Sequence, residues 1–173
     1  MSAPYVAETP PSLISTPKHA PAPSATRSAP VTVLAGLWVM GIFGLYSGVQ
    51  QQFLPRFFYD QFPGFGMTWV SPDGPFNEHL MRDLGGANLG LTLLIFLAIA
   101  RPTAYLVRGV AIAVLIAQAP HFIYHALHLD LLPNTLERVL QTASLGIALL
   151  VPVLVLIASH SMTERRLAVG REE

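Results

Sequence analysis

The chain contains no cysteine. That excludes disulfides, thiolate zinc sites and cysteine-held iron–sulfur clusters, and it leaves the redox character of the compartment open. Charge is scarce as well: 12% of the 173 residues are Asp, Glu, Lys or Arg, against about 25% in a soluble domain. Acidic and basic residues balance at 10 each. No segment gathers the cluster of Lys and Arg that a phosphate backbone requires, which argues against nucleic acid as a partner.

What the chain has in quantity is apolar surface. Hydrophobic residues make up 52% of it and the mean hydropathy is +0.50. The charges that exist are segregated: none falls between Arg27 and Arg56, Asp83 and Arg101, Arg108 and Asp130, or Arg138 and Glu164. Each gap holds an apolar stretch near or above the roughly 17 residues that cross a hydrocarbon layer. The expected fold is therefore all-α, an integral membrane bundle of four antiparallel helices over residues 31–160. Helices are expected at about 31–50, 79–100, 104–129 and 135–159. Arg101-Pro102 and Leu132-Pro133-Asn134 separate the later ones, and Pro120 and Pro152 sit inside helices that they should bend.

Residues 1–30 carry seven prolines among Ala, Ser and Thr, a composition that cannot bury enough apolar surface to offset chain entropy and predicts a disordered tail. The apolar run of residues 31–49 exceeds the usual signal-peptide core and is expected to be a permanent span. Residues 161–173 form a second tail. Alternate spans put Lys18, Arg27, Arg101, Arg108, Arg165, Arg166 and Arg171 on one side and Arg56, Arg82 and Arg138 on the other. By the positive-inside rule both termini are expected to be cytoplasmic. The connection of residues 51–78, rich in Phe, Tyr and Trp, then lies at the outer interface, as an aromatic belt or as a lid over a site.

Two groups of ionisable residues fall near the outer ends of spans, where such residues suggest function. Asn77-Glu78-His79-Leu80-Met81-Arg82-Asp83 places Glu78 with Arg82, and His79 with Asp83, at i, i+4. Gly86 and Gly90 continue the His79 and Asp83 stripe, and their small-xxx-small spacing predicts that this side faces the bundle, as does that of Gly44 and Gly48 in the first helix. The third helix ends with His121, His125 and His128 on one face, beside Tyr124 and Gln118. Since both groups lie at one depth, they are expected to converge in a polar chamber, joined by Glu137 and Gln141 of the fourth helix.

The runs Phe57-Phe58-Tyr59-Asp60-Gln61-Phe62-Pro63-Gly64, Gly74-Pro75-Phe76-Asn77-Glu78-His79-Leu80-Met81-Arg82-Asp83-Leu84-Gly85 and Pro120-His121-Phe122-Ile123-Tyr124-His125-Ala126-Leu127-His128 resemble a family of small four-span membrane proteins of high-GC Gram-positive bacteria. The resemblance covers residues 31–160. It implies a bacterial plasma membrane, the four-span topology and the choice of residues, and it supplies no reaction. The plan is also similar to that of DoxX-like four-helix membrane proteins, which by itself says little about function.

Three functional classes follow. In the first, the chamber binds a lipid headgroup, a small solute or a partner, either another membrane protein or a second copy of the chain, and performs no chemistry. In the second, His79, His121, His125 and His128 hold zinc, iron, manganese or copper, or His79 and one stripe histidine ligate haem, with Glu78 or Asp83 as catalytic base in an oxidoreductase or hydrolase. In the third, the Glu, His and Asp side chains relay protons in a transporter subunit.

Overall fold

The computed structural model describes residues 29–169, with side chains described through residue 162. The expected disordered tail, apart from Ala29 and Pro30, lies outside the described residues. Four helices are long and apolar enough to cross a membrane: α1 (Val31–Phe53), α3 (Glu78–Ala100), α4 (Ala104–Leu127) and α5 (Thr135–Val169), while a short α2 (Pro55–Gln61) follows α1. The protein is an all-α, multi-pass membrane bundle.

Local chemistry sets the helix starts. Asn77 caps α3, its side chain accepting from the Leu80 amide at 3.1 Å, and Thr103 caps α4 by accepting from Leu106 at 3.3 Å. Asn134 and Glu137 exchange bonds at the start of α5, from Asn134 Nδ2 to Glu137 Oε1 at 2.9 Å and from the Glu137 amide to Asn134 Oδ1 at 3.0 Å. Each satisfies amides that a helix start leaves without intrahelical partners. The apolar part of α5 ends at Met162, but the helix runs on to Val169, further than the expected boundary near 159. Glu, Arg, Leu and Ala beyond the span are all good helix formers.

Helix α1 packs along α3 and also against α5, α4 packs on α5, and α3 meets α4 only sparingly. Three α1 glycines make the close approach to α3: Gly41 faces Ile95 and Phe96, Gly44 faces Thr92, and Gly48 faces Leu89 and Asn88. On α3 the close contact comes at Gly85. A methyl there would lie 2.5 Å from the Gln52 amide nitrogen and 2.9 Å from the Gln51 carbonyl carbon. Gly86 meets only Gln52 Oε1, at 3.5 Å, and Gly90 meets nothing within 4 Å. The expectation that Gly86 and Gly90 face the bundle is thus corrected: α3 is turned by about one residue so that Gly85, Asn88, Leu89 and Thr92 face α1. The reason is polar. Asn88 Nδ2 donates to Gln51 Oε1 at 2.6 Å across that interface, a bond that is hard to replace in lipid.

The two halves of the bundle differ in character. Val33, Leu37, Ile95, Ala98, Val107, Val110, Ala111 and Val155 build a dry core in the half holding the α3–α4 connection. In the other half the buried side chains include Gln50, Gln51 and Gln141. The connection after α1 closes that half and is itself folded. It carries α2, a two-stranded antiparallel hairpin of β1 (Pro63–Gly64) and β2 (Met67–Thr68), and a 3-10 turn at Ser71–Asp73. Phe65 and Gly66 take left-handed backbone angles at the hairpin tip. Arg56 pairs with Asp60 at 2.6 Å and lies over the rings of Tyr59 and Phe76. Tyr59 donates its hydroxyl to Gly74 O at 2.7 Å, and Phe58 and Trp69 are buried.

Candidate functional site at the loop end of the bundle

That folded connection positions a residue the sequence reading passed over. Asp73 closes the 3-10 turn, and Tyr59 anchors the turn by its bond to the next residue. Its carboxylate comes to 4.0 Å from His125 Nδ1, with the side chains 27% and 12% exposed. Burial pushes the Asp73 carboxyl above the ordinary carboxylate range, against the opposing pull of His121 and His128. Burial wins because the carboxylate loses more solvation than the attraction of the two imidazoles returns. The available signal was weak: a Ser-Pro-Asp-Gly run reads as a turn, and nothing in it says which helix the turn will meet.

The histidine stripe behaves as one unit. The His121 and His125 rings meet edge to face at 4.7 Å, Tyr124 meets His125 edge to face at 5.3 Å, and Tyr124 stacks on His128 at 4.2 Å. His128 Nδ1 is engaged with the Tyr124 carbonyl at 2.7 Å. Helical spacing alone brings these side chains together.

The second expected group bonds within α3 and to the end of α1. His79 pairs with Asp83 at 3.1 Å, with the two side chains 87% and 65% exposed. Arg82 donates from Nε and Nη2 to Glu78 at 2.9 and 2.7 Å, and from Nη1 to Gln52 O at 2.5 Å, tying α3 to the end of α1. Among the described residues no hydrogen bond or ion pair joins Glu78, His79, Arg82 or Asp83 to His121, His125 or His128. A shared depth brings no direct bond between the groups: α3 and α4 pack only sparingly, and His79 and Asp83 are largely exposed. Gln118 is half-buried. Gln141 is buried on α5. Glu137 spends one carboxylate oxygen on its helix cap and keeps the other buried without a partner.

The metal reading does not fit this geometry. Among the described residues no group of three or more His, Asp or Glu side chains is placed to hold an ion. His79, needed as the fourth nitrogen or as a haem ligand, is committed to Asp83 on another face. Glu78 and Asp83, the candidates for a catalytic base, are exposed and paired with neighbours on their own helix. What the loop end can do chemically is hydrogen-bond. The Asp73–histidine face offers imidazole donors and acceptors, a half-buried carboxyl and an aromatic surface at Tyr124, while Arg56, Arg82 and Arg138 at the same end are bonded elsewhere.

Comparison with protein-family models, with curated proteins and with solved structures found no match to this chain.

Proposed function

We propose that the protein is a binding or accessory subunit of a bacterial plasma membrane, with both termini cytoplasmic. It recognises a hydroxyl-bearing group, such as the headgroup of a polyol or glycosyl lipid, at the face formed by Asp73, His121, His125, His128 and Tyr124. One observation carries this reading: Asp73 and His125 stand 4.0 Å apart, too far for a direct hydrogen bond and suited to a group that bridges them. A hydroxyl donates to the carboxylate and accepts from the imidazole in one step. A phosphate would meet the Asp73 carboxyl without a fixed cation to hold it. Kinship with the small four-span proteins of high-GC Gram-positive bacteria belongs to the same proposal and rests on the residues of the 74–85 and 120–128 runs.

The test is native mass spectrometry of the detergent-purified chain titrated with a glycosyl diacylglycerol and, separately, with phosphatidylcholine. The glycolipid should bind saturably and be recovered unchanged, and H125A or D73A should weaken it about tenfold, the effect of losing one charge-assisted hydrogen bond. Equal retention of both lipids, or equal binding by the variants, would overturn the reading.

A further inference from the structure

We propose that the opposite end of the bundle holds a site for the phosphodiester of an anionic phospholipid, centred on Arg108. This residue sits one turn into α4, between Val107 and Val110 of the dry core, and its side chain reaches across to α5. Nε donates to Ser159 Oγ at 3.2 Å and Nη2 to Ser159 O at 3.1 Å, while Ser159 is fully buried. Both acceptors are neutral. Among the described residues no carboxylate lies within 4.0 Å of this guanidinium, although Arg56 and Arg82 each have one. Arg138 likewise bonds to a carbonyl, that of Leu132, at the other end of the bundle.

A half-buried guanidinium next to a dry core, held in place and with no counter-ion among the described residues, is costly until an anion completes it. The two bonds to Ser159 fix the plane of the fork, and among the described residues nothing bonds to Nη1, which is free for the bidentate geometry that phosphate oxygens accept. Tyr105, three residues earlier and so on the neighbouring surface of the helix, is 91% exposed. It is a side chain suited to the headgroup depth at a span end. Arg101, exposed where α3 ends, adds positive charge on the same side. Span end, oriented cation and aromatic neighbour together favour a lipid phosphate over a soluble anion.

The competing explanation is a staple between α4 and α5 with no ligand, and two variants separate the two. Full-length protein in detergent is titrated with phosphatidylglycerol, phosphatidylcholine and inorganic phosphate, and bound species are counted by native mass spectrometry. Wild type and S159A, which lacks the hydroxyl acceptor but keeps the cation, should retain phosphatidylglycerol over phosphatidylcholine. R108Q should lose that preference on the order of fivefold, the contribution of one arginine at an anionic surface. An unchanged preference in R108Q that elutes as folded protein would overturn the site. Displacement of the lipid by millimolar inorganic phosphate would show a free-anion site and overturn the lipid assignment.

Discussion

Substituting Gly85 tests how α3 is rotated against α1. A methyl at this position would fall 2.5 Å from the Gln52 nitrogen and 2.9 Å from both the Gln51 carbonyl carbon and the Gln52 Cα. All three are backbone atoms of a packed helix, so the helices themselves must separate. Overpacking of this kind costs about 1–3 kcal/mol, and the better helix propensity of Ala returns about 0.5–1 kcal/mol. The net is a loss of up to about 2.5 kcal/mol, which for a chain of this length lowers Tm by up to about 10 °C. Gly90→Ala is the matched control, because nothing lies within 4 Å of the added methyl, and it should leave Tm unchanged or raise it by up to about 4 °C. Thermal unfolding of detergent-purified protein, followed by the loss of the monodisperse peak in size-exclusion chromatography, reads both. A stable Gly85→Ala with a destabilised Gly90→Ala would refute the rotation and place the Gly86–Gly90 stripe in an interface.

Further outcomes follow from the loop and the span ends. Because burial raises the Asp73 carboxyl above its ordinary 3.8, the folded state favours its protonated form, and that stability is present at low pH and lost as pH rises through the raised value. The Tm of wild type should therefore gain on that of D73N as pH falls from 7 towards 4, and the opposite trend would mean that pairing with imidazolium dominates. Arg82→Ala removes an exposed pair worth up to about 1 kcal/mol and the bond to Gln52 O, worth about 1 kcal/mol, so Tm should fall by a few degrees. Arg82→Lys should restore only part of this, and full restoration would show that the two-pronged contact is unimportant. In a chain without native cysteine, F65C in intact cells should react with a membrane-impermeant thiol reagent and Y105C should not. Labelling of Y105C alone would invert the assignment of sides.

The spans were legible in the sequence because a lipid core leaves no choice: uncharged apolar runs of that length must be helices that satisfy their own backbone. Gly44 and Gly48 of α1 were legible for the same reason, as close approach needs small residues. The rotation of α3 was not, since Gly85 and Gly86 are adjacent and both fit a small-residue stripe. The selection lies with Asn88 and Thr92, which turn toward α1, and a spacing rule that counts only small residues does not weigh it. The histidine stripe was visible as a helical period, whereas its partner Asp73 depends on how the 54–77 connection folds. That in turn depends on the Tyr59 bond to Gly74 and the Arg56 contacts with Tyr59 and Phe76. Contacts of that kind carry no periodicity. Direct bonding of the Glu78–Asp83 group with the stripe is missing among the described residues, because depth along the membrane normal says nothing about which helices are neighbours.

The most direct test of the binding account is the ¹H–¹⁵N spectrum of the imidazole nitrogens in the six histidines, recorded for the full chain in nanodiscs with and without a glycosyl diacylglycerol. The lipid should move the His125 resonances most, with smaller shifts at His121 and His128, and should leave His79 unchanged. D73N should perturb His125 in the absence of lipid. A response at His79 with His125 silent, or chemical conversion of the lipid during the titration, would contradict it.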